Sequence, residues 1–412
     1  MDDHHTPHST SAGGIANGSI ITRALTALPA RLVEALLAAF FAGTVALVMA
    51  LAVLRPSPNW DALPYFALAL KQPGDEAATF HRRAYQAVQE IASPADFREL
   101  TQGNTYRKRQ FEDPEAFASM LPMYAVKGGY VVALTALASR WGPYGAAMLI
   151  NMAAAALLLS IVLWWMQQGG FLQAIPLLLM VLFALHFREV AGSVAPDFPA
   201  AALIITSIWL YSIKRDWGAI VPLALATTLR PDTLLLCIAL IFVFAAMRQR
   251  LLPVVAGLVV SFAIYVWQTA SADHMGWWAH YWFSTIRIQN TMAGFEPSFS
   301  LAAYLTGQAR GVVTALTTFN WPFVGVALAF AWVVLSRSGH LRDRRAITLL
   351  TAILLAIGGK FITFPLPDDR IYMAFLIGAV MILANAWKPK PIPNRSFEDE
   401  PERPAAAKLD RP

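Results

Sequence analysis

Apolar residues run along this chain in long blocks, separated by short polar turns and one long polar stretch. The blocks fall at 32–54, 143–166, 171–190, 198–213, 218–229, 233–247, 251–271, 312–335, 346–364 and 371–387. A helix needs about 20 mostly apolar residues to cross a hydrocarbon core of about 30 Å. Leu32 to Leu54, Tyr144 to Met166 and Val312 to Leu335 meet that length outright. The pattern therefore predicts an all-α, polytopic transmembrane helix bundle of about ten spans. Its long helical outer loop follows span one. The block 218–229 is short and ends at Arg230-Pro231-Asp232. It stops below the surface or continues as a broken helix, which neighbouring helices can tolerate.

Composition agrees. Of 412 residues, 57% are hydrophobic and only 14% charged, against about a quarter charged in a soluble domain. Cys237 is the only cysteine, which excludes an intramolecular disulfide and disfavours a thiol metal cluster. It reads as a small core residue. The net charge of +6 gathers beside spans, where topology explains it, and gives no reason to expect nucleic acid. The first span follows Arg23 and Arg31 without a small-residue cleavage site, and is expected to be a retained anchor. The tails 1–31, with His4, His5 and His8, and 388–412 are expected to be disordered and cytoplasmic.

Short loops set the orientation. Lys214-Arg215, Arg248 with Arg250, and Arg337 with Arg342, Arg344 and Arg345 fall on one side when ten spans alternate. Positive charge marks that side as cytoplasmic. Residues 55–142 and 272–311 then form two large outer loops within a membrane domain covering 32–387. Residues 121–141 are apolar enough to tempt a span assignment, but one more crossing would invert every later loop. They are expected to form a surface helix of the long loop, with Lys127 and Arg140 at an interfacial position.

Orientation sorts the polar residues. Asp61, Lys127, Asp197, Arg230, His280, Arg287 and Arg370 all fall on the outer side. Ionisable groups near membrane depth are costly, so they line a cavity or pair with one another. Acids and bases meeting there suit a lipid-phosphate substrate, with cations on the phosphate and a carboxylate as base or metal ligand. Blander readings exist for each. Asp61 and Asp197 could cap the helices they precede, and Arg230 could pair with Asp232 or Asp197. The aromatic residues around His274, Trp277, Trp278, His280, Tyr281 and Trp282 suit an interfacial belt or a sugar-stacking surface. Residues 75–115 carry both charge signs at helical spacing and read as a solvated helical face. No glycine-rich phosphate loop, GxSxG or HExxH is present.

Four features together resemble the GT-C superfamily of membrane glycosyltransferases. This group includes protein O-mannosyltransferases and the aminoarabinose transferase of lipid A. A first span precedes an outer loop opening with an acid, in NWDALPYFALAL. That loop ends in PMYAVKGGYVVALTALASRWG. A later outer turn has an acid opening a span, in SVAPDFPAAALIITSIWLY, and a basic residue closes the following short span, in LATTLRPDTLLL. The likeness covers roughly residues 30–300. It implies inverting transfer of a hexose or pentose from a polyprenyl-phosphate donor to a glycan, lipid or protein acceptor. The site would face the exterior of a bacterial inner membrane. By resemblance Asp61 is the catalytic acid of the first loop and Asp197 the second acid. Lys127 and Arg230 face the carrier phosphate. Tyr65, Tyr124 and Arg370 join them as binding residues, and His280 and Arg287 lie in the loop that covers the site. A divalent metal at Asp61 is allowed, but Ala62 stands where many members carry a second acid. Three alternatives stand beside this reading: a transporter or lipid-linked-sugar flippase, a catalytically inactive envelope-biogenesis relative, and an O-antigen polymerase or ligase. No internal repeat favours the transporter.

Overall fold

A computed structural model describes residues 29–389. Most of both tails, including His4, His5 and His8 and the segment 390–412, lies outside the described residues. Within them every regular element is a helix. Five helices are long and apolar enough to cross a membrane: Ala30–Leu54, Gly128–Gly169, Leu252–Ser271, Arg344–Thr363 and Asp369–Trp387. A bent pair makes a sixth candidate, and four further apolar helices of 10–17 residues pack with them. Large apolar side chains such as Phe40, Phe183, Phe242 and Phe330 stand exposed on the outside of the bundle. Lipid, not water, is the solvent that matches such a surface. This is the make-up of an integral membrane protein.

The bundle core gathers around Asp369–Trp387, whose residues from Ile371 to Ala384 are all buried. A second apolar core belongs to the first loop. It is built by the helices Ala62–Leu70, Ala77–Gln89, Pro94–Gln102, Thr105–Glu112 and Pro114–Met120, with Phe66, Phe80, Tyr85 and Phe117 inside. The mixed-charge stretch 75–115 is therefore more than a solvated face. Its inner positions supply this core, while Ser93, Asn104 and Asp113 cap helix starts with their side chains.

Residues 121–141 fold as the short helix Pro122–Ala125 and the opening stretch of Gly128–Gly169. Tyr130, Leu134 and Ala138 turn one face into the first-loop core, while Val132 stands exposed opposite. The helix breaks at Gly142 (φ 68°), a left-handed conformation that glycine tolerates, just before Pro143. Residues 128–141 are thus separated from the stretch that follows them.

Three extents differ from those the apolar blocks suggest. The block 312–335 is not one helix: Leu301–Thr318 and Trp321–Arg337 meet at a bend of 81°. Pro322 cannot continue a ladder backward. The N–H groups of Asn320 and Trp321 both donate to one carboxylate oxygen of Asp369, at 3.0 and 2.7 Å. That distant acid caps the second helix and fixes the break. The second loop consequently gives way to helix at Leu301, ahead of residue 311, and holds the helix Trp277–Thr285. The block 171–190 divides into Ile175–Ala184 and Phe187–Gly192, with His186 between them in the left-handed region (φ 53°).

Polar side chains collect at two ends. At one, Arg345 binds Asp216, donates to Gln249 Oε1 at 2.5 Å and to the Tyr211 carbonyl at 2.8 Å. The turns around 214, 248 and 343 therefore meet. The other end holds the candidate site.

Candidate functional site

The site is a chain of alternating charges drawn from six segments of the sequence. Lys360, near the end of Arg344–Thr363, contacts the Asp232 carboxylate. Arg230 grips the same carboxylate with two donors, Nε at 3.0 Å and Nη2 at 2.8 Å. The other side of its guanidinium donates to Asp197. Arg370 lies 3.8 Å from Asp197 and donates to Asp61 at 2.6 Å. Asp368 sits 2.9 Å from Arg370 Nε. The Tyr124 hydroxyl donates to the other Asp61 oxygen at 3.3 Å, and Asn59 donates weakly to Asp61 at 3.4 Å. Buried charges are tolerable only when paired in this manner.

Local structure explains the aim of these groups. Asp61 precedes Ala62–Leu70 but makes no capping hydrogen bond, because its carboxylate is already held by Arg370 and Tyr124. Asp197 is the first residue of Asp197–Ser212 and likewise does not cap it. The capping readings of both acids are corrected: each is turned towards an arginine. Arg230 follows Leu229 in extended backbone, and Pro231 prevents the helix from continuing through it.

Tyr65 packs edge-on against Tyr124 and Tyr130, with ring centres 5.3 and 4.9 Å away. Burial first, and the Asp61 charge second, hold the Tyr65 and Tyr124 hydroxyls well above the ordinary phenol range. Both therefore stay protonated, and Tyr124 remains a donor to Asp61. Lys127 lies over the Tyr124 ring at 5.3 Å, and its ammonium donates to the Met123 carbonyl at 2.5 Å. No carboxylate pairs with it among the described residues. Burial, then the Arg230 charge, brings Lys127 down to about 7. Beside it, burial and the Lys127 charge hold His280 well below the usual histidine range. His274 Nε2 lies 3.2 Å from His280 Nδ1.

Of the residues expected from the sequence, Asp61, Asp197, Arg230, Arg370, Tyr65, Tyr124 and Lys127 are brought together. His280 borders the cluster through Lys127. Arg287 does not join: it is exposed, with no acidic or phosphate-facing partner among the described residues. It lies just past the end of the helix Trp277–Thr285, which Ile286 caps. Lys360 was missed, although a lone lysine inside an apolar block is itself a signal. Asp232, read only as a bland partner, proves to be the joint between Lys360 and Arg230.

Two cavities flank the chain of charges. A small one, about 20 Å³, lies among Asp197, Arg230, Asp232, Lys360 and Arg370 and has room for about one water. A larger open one, about 380 Å³, is lined by Trp60, Asp61, His186, Glu189, Asp368 and Arg370 among others. A sugar fits that volume. Among the described residues no group of three or more His, Cys, Asp or Glu is arranged to hold a metal ion. Both Asp61 oxygens are engaged by donors, one by Tyr124 and one by Arg370. No protein-family model, curated protein or solved structure matches this chain.

Proposed function

We propose that this protein is a GT-C-like membrane glycosyltransferase, which moves a sugar from a polyprenyl-phosphate carrier to an envelope glycan, lipid or protein acceptor at the outer face of a bacterial inner membrane. One observation carries the reading. Asp61, Asp197, Arg230 and Arg370, far apart in sequence, meet at one end of an apolar bundle beside a cavity of sugar size. The orientation comes from the basic turns, which meet at the opposite end.

Chemically, the acceptor oxygen attacks the anomeric carbon and the lipid phosphate leaves with the bonding electrons. The charge on that phosphate grows towards the transition state, so cations held in place there lower the barrier. Arg370 and Lys127 are suited to it. Arg370 opens on the larger cavity, and Lys127 pairs with no carboxylate among the described residues. Asp61 fixes the Arg370 guanidinium and accepts a hydrogen bond from Tyr124. Asp197 and Arg230 form the buried support behind them.

A second reading, a lipid-linked-sugar flippase or transporter, draws on two observations: the 81° break between Leu301–Thr318 and Trp321–Arg337, and the buried Lys360. Transporters build sites from broken helices near mid-membrane. Lys360, however, sits only three residues from the end of its helix, at the same end as Asp61. That placement favours the enzyme.

The glycolipid profile of a deletion strain tests the reading. A transferase leaves its polyprenyl-phosphate sugar accumulated and an envelope glycan one residue short. A donor pool that accumulates only on the inner leaflet supports the flippase instead.

A further inference from the structure

We infer that His186 and Asp369 form a proton-accepting dyad on the wall of the larger cavity, and that His186 Nε2 takes the proton from the acceptor hydroxyl; this rests on the transferase reading. His186 Nδ1 lies 2.8 Å from Asp369 Oδ2. A carboxylate oxygen only accepts, so Nδ1 carries the hydrogen and the lone pair of the neutral ring falls on Nε2. That nitrogen has no protein partner among the described residues, and the His186 side chain is 49% exposed where it lines the cavity. Asp369, by contrast, is 2% exposed and immobilised. Its second oxygen takes the two backbone N–H groups of Asn320 and Trp321. A base oriented by a third group, itself fixed by the backbone, is the arrangement that general-base catalysis needs.

Backbone geometry points the same way. His186 is one of few non-glycine residues in the left-handed region, a conformation that persists only when surrounding structure enforces it. The enforcement sits in the turn between Ile175–Ala184 and Phe187–Gly192, and it brings the imidazole to Asp369.

Asp61 shares the cavity but is less free to act as the base. Arg370, Tyr124 and Asn59 already donate to its oxygens. Asp368, Asp369 and Arg370 divide the work at the start of the last helix. Asp368 caps the helix and faces Arg370, Asp369 holds His186, and Arg370 holds Asp61. In the step, the acceptor O–H bond breaks and its proton passes to Nε2. The oxygen bonds to the anomeric carbon, and the carbon–oxygen bond to the lipid phosphate breaks, its electron pair leaving on that oxygen. The imidazolium then returns its proton to cavity water.

Two measurements on the full chain in nanodiscs test this. Diethyl pyrocarbonate labelling, located by mass spectrometry, reads a free Nε2 without turnover. His186 is expected to label, at a rate that changes several-fold in Asp369→Asn; a His186 that stays unlabelled overturns the dyad. Turnover is then followed with the radiolabelled polyprenyl-phosphate sugar fraction of the host membrane and its envelope glycolipids. His186→Ala is expected to lose about 100-fold in rate, to lose the fall in rate at acid pH, and to regain activity with added imidazole. His186→Gln, closer in shape, is expected to lose rate without imidazole rescue. Asp61, Glu189, Asp368, Asp369 and Arg370, which also face the cavity, are present in both variants, so a pH limb they set persists. His186 variants with unchanged rate and pH profile overturn the dyad and leave the transferase reading standing. A wild-type protein that labels at His186 but transfers nothing overturns the transferase reading, and the proton-accepting role with it.

Discussion

Arg370 donates to Asp61 at 2.6 Å across 309 residues of sequence, tying the start of the last helix to the opening of the first loop. The same guanidinium reaches towards Asp197. One side chain thus joins the loop to the bundle at the point where the two cores meet. Arg370→Ala takes the cation from three carboxylates, Asp61, Asp197 and Asp368, which costs about 1–3 kcal/mol for each buried group left unsatisfied. We expect a lower thermal midpoint in detergent together with lost transfer. Arg370→Lys keeps the charge but not the fork, and should recover stability more than turnover.

Lys360 and Asp232 should respond asymmetrically. Asp232→Asn strands Lys360 inside the bundle and loosens Arg230, whereas Lys360→Met leaves Asp232 still gripped twice by Arg230. Thermal midpoints should therefore fall further for Asp232→Asn. The double variant should be no less stable than Asp232→Asn alone, since removing a stranded charge relieves its burial. Additive losses would contradict the pairing.

Lys127 gives the fold a pH dependence of defined sign. Its folded value is about 7, below about 10.4 for an unfolded lysine. Below pH 7 both states carry the proton and the fold bears the full penalty of the buried cation. Between about 7 and 10.4 only the unfolded chain holds it, so stability rises with pH through that window. The midpoint of the wild type should climb relative to Lys127→Met from pH 7 to 10. In the proposed transferase, binding of the carrier phosphate should run the other way, because the Lys127 cation is lost above about 7.

Gly129 should not tolerate a side chain. An added Cβ would collide with Thr228 Oγ1, where Gln268 also closes on Thr228 with a 2.8 Å bond to its carbonyl. Gly129→Ala should push apart the helix that starts after Lys127 and the turn that carries Arg230. Reduced turnover with a modest fall in melting temperature is the expected result, and turnover kinetics beside a melting curve check it.

Much of this was readable beforehand, for physical reasons. Apolar blocks long enough for lipid announce themselves without partners, and so do charges placed at their ends. Asp61, Asp197, Arg230 and Arg370 were found that way. Their partners were not, because an ion pair between distant segments leaves no local trace. Asp61 and Asp197 each looked like helix caps and proved to be held by arginines instead. The break at Phe319-Asn320 was hidden for the same reason. Its sequence is apolar enough to continue a span, and the carboxylate that ends it belongs to Asp369. Arg287 shows the converse: its charge and its loop fitted the pattern, but it lies exposed beyond the end of its helix.

Turnover by Asp61→Asn decides whether Asp61 sits at a reacting centre. The measurement is transfer of labelled sugar from the polyprenyl-phosphate fraction, with membrane insertion and melting temperature followed alongside. The expected rate is lower by about 100-fold or more in a protein that still inserts and folds, because the amide no longer holds Arg370 as a charge partner. Full turnover in a folded Asp61→Asn protein would contradict it.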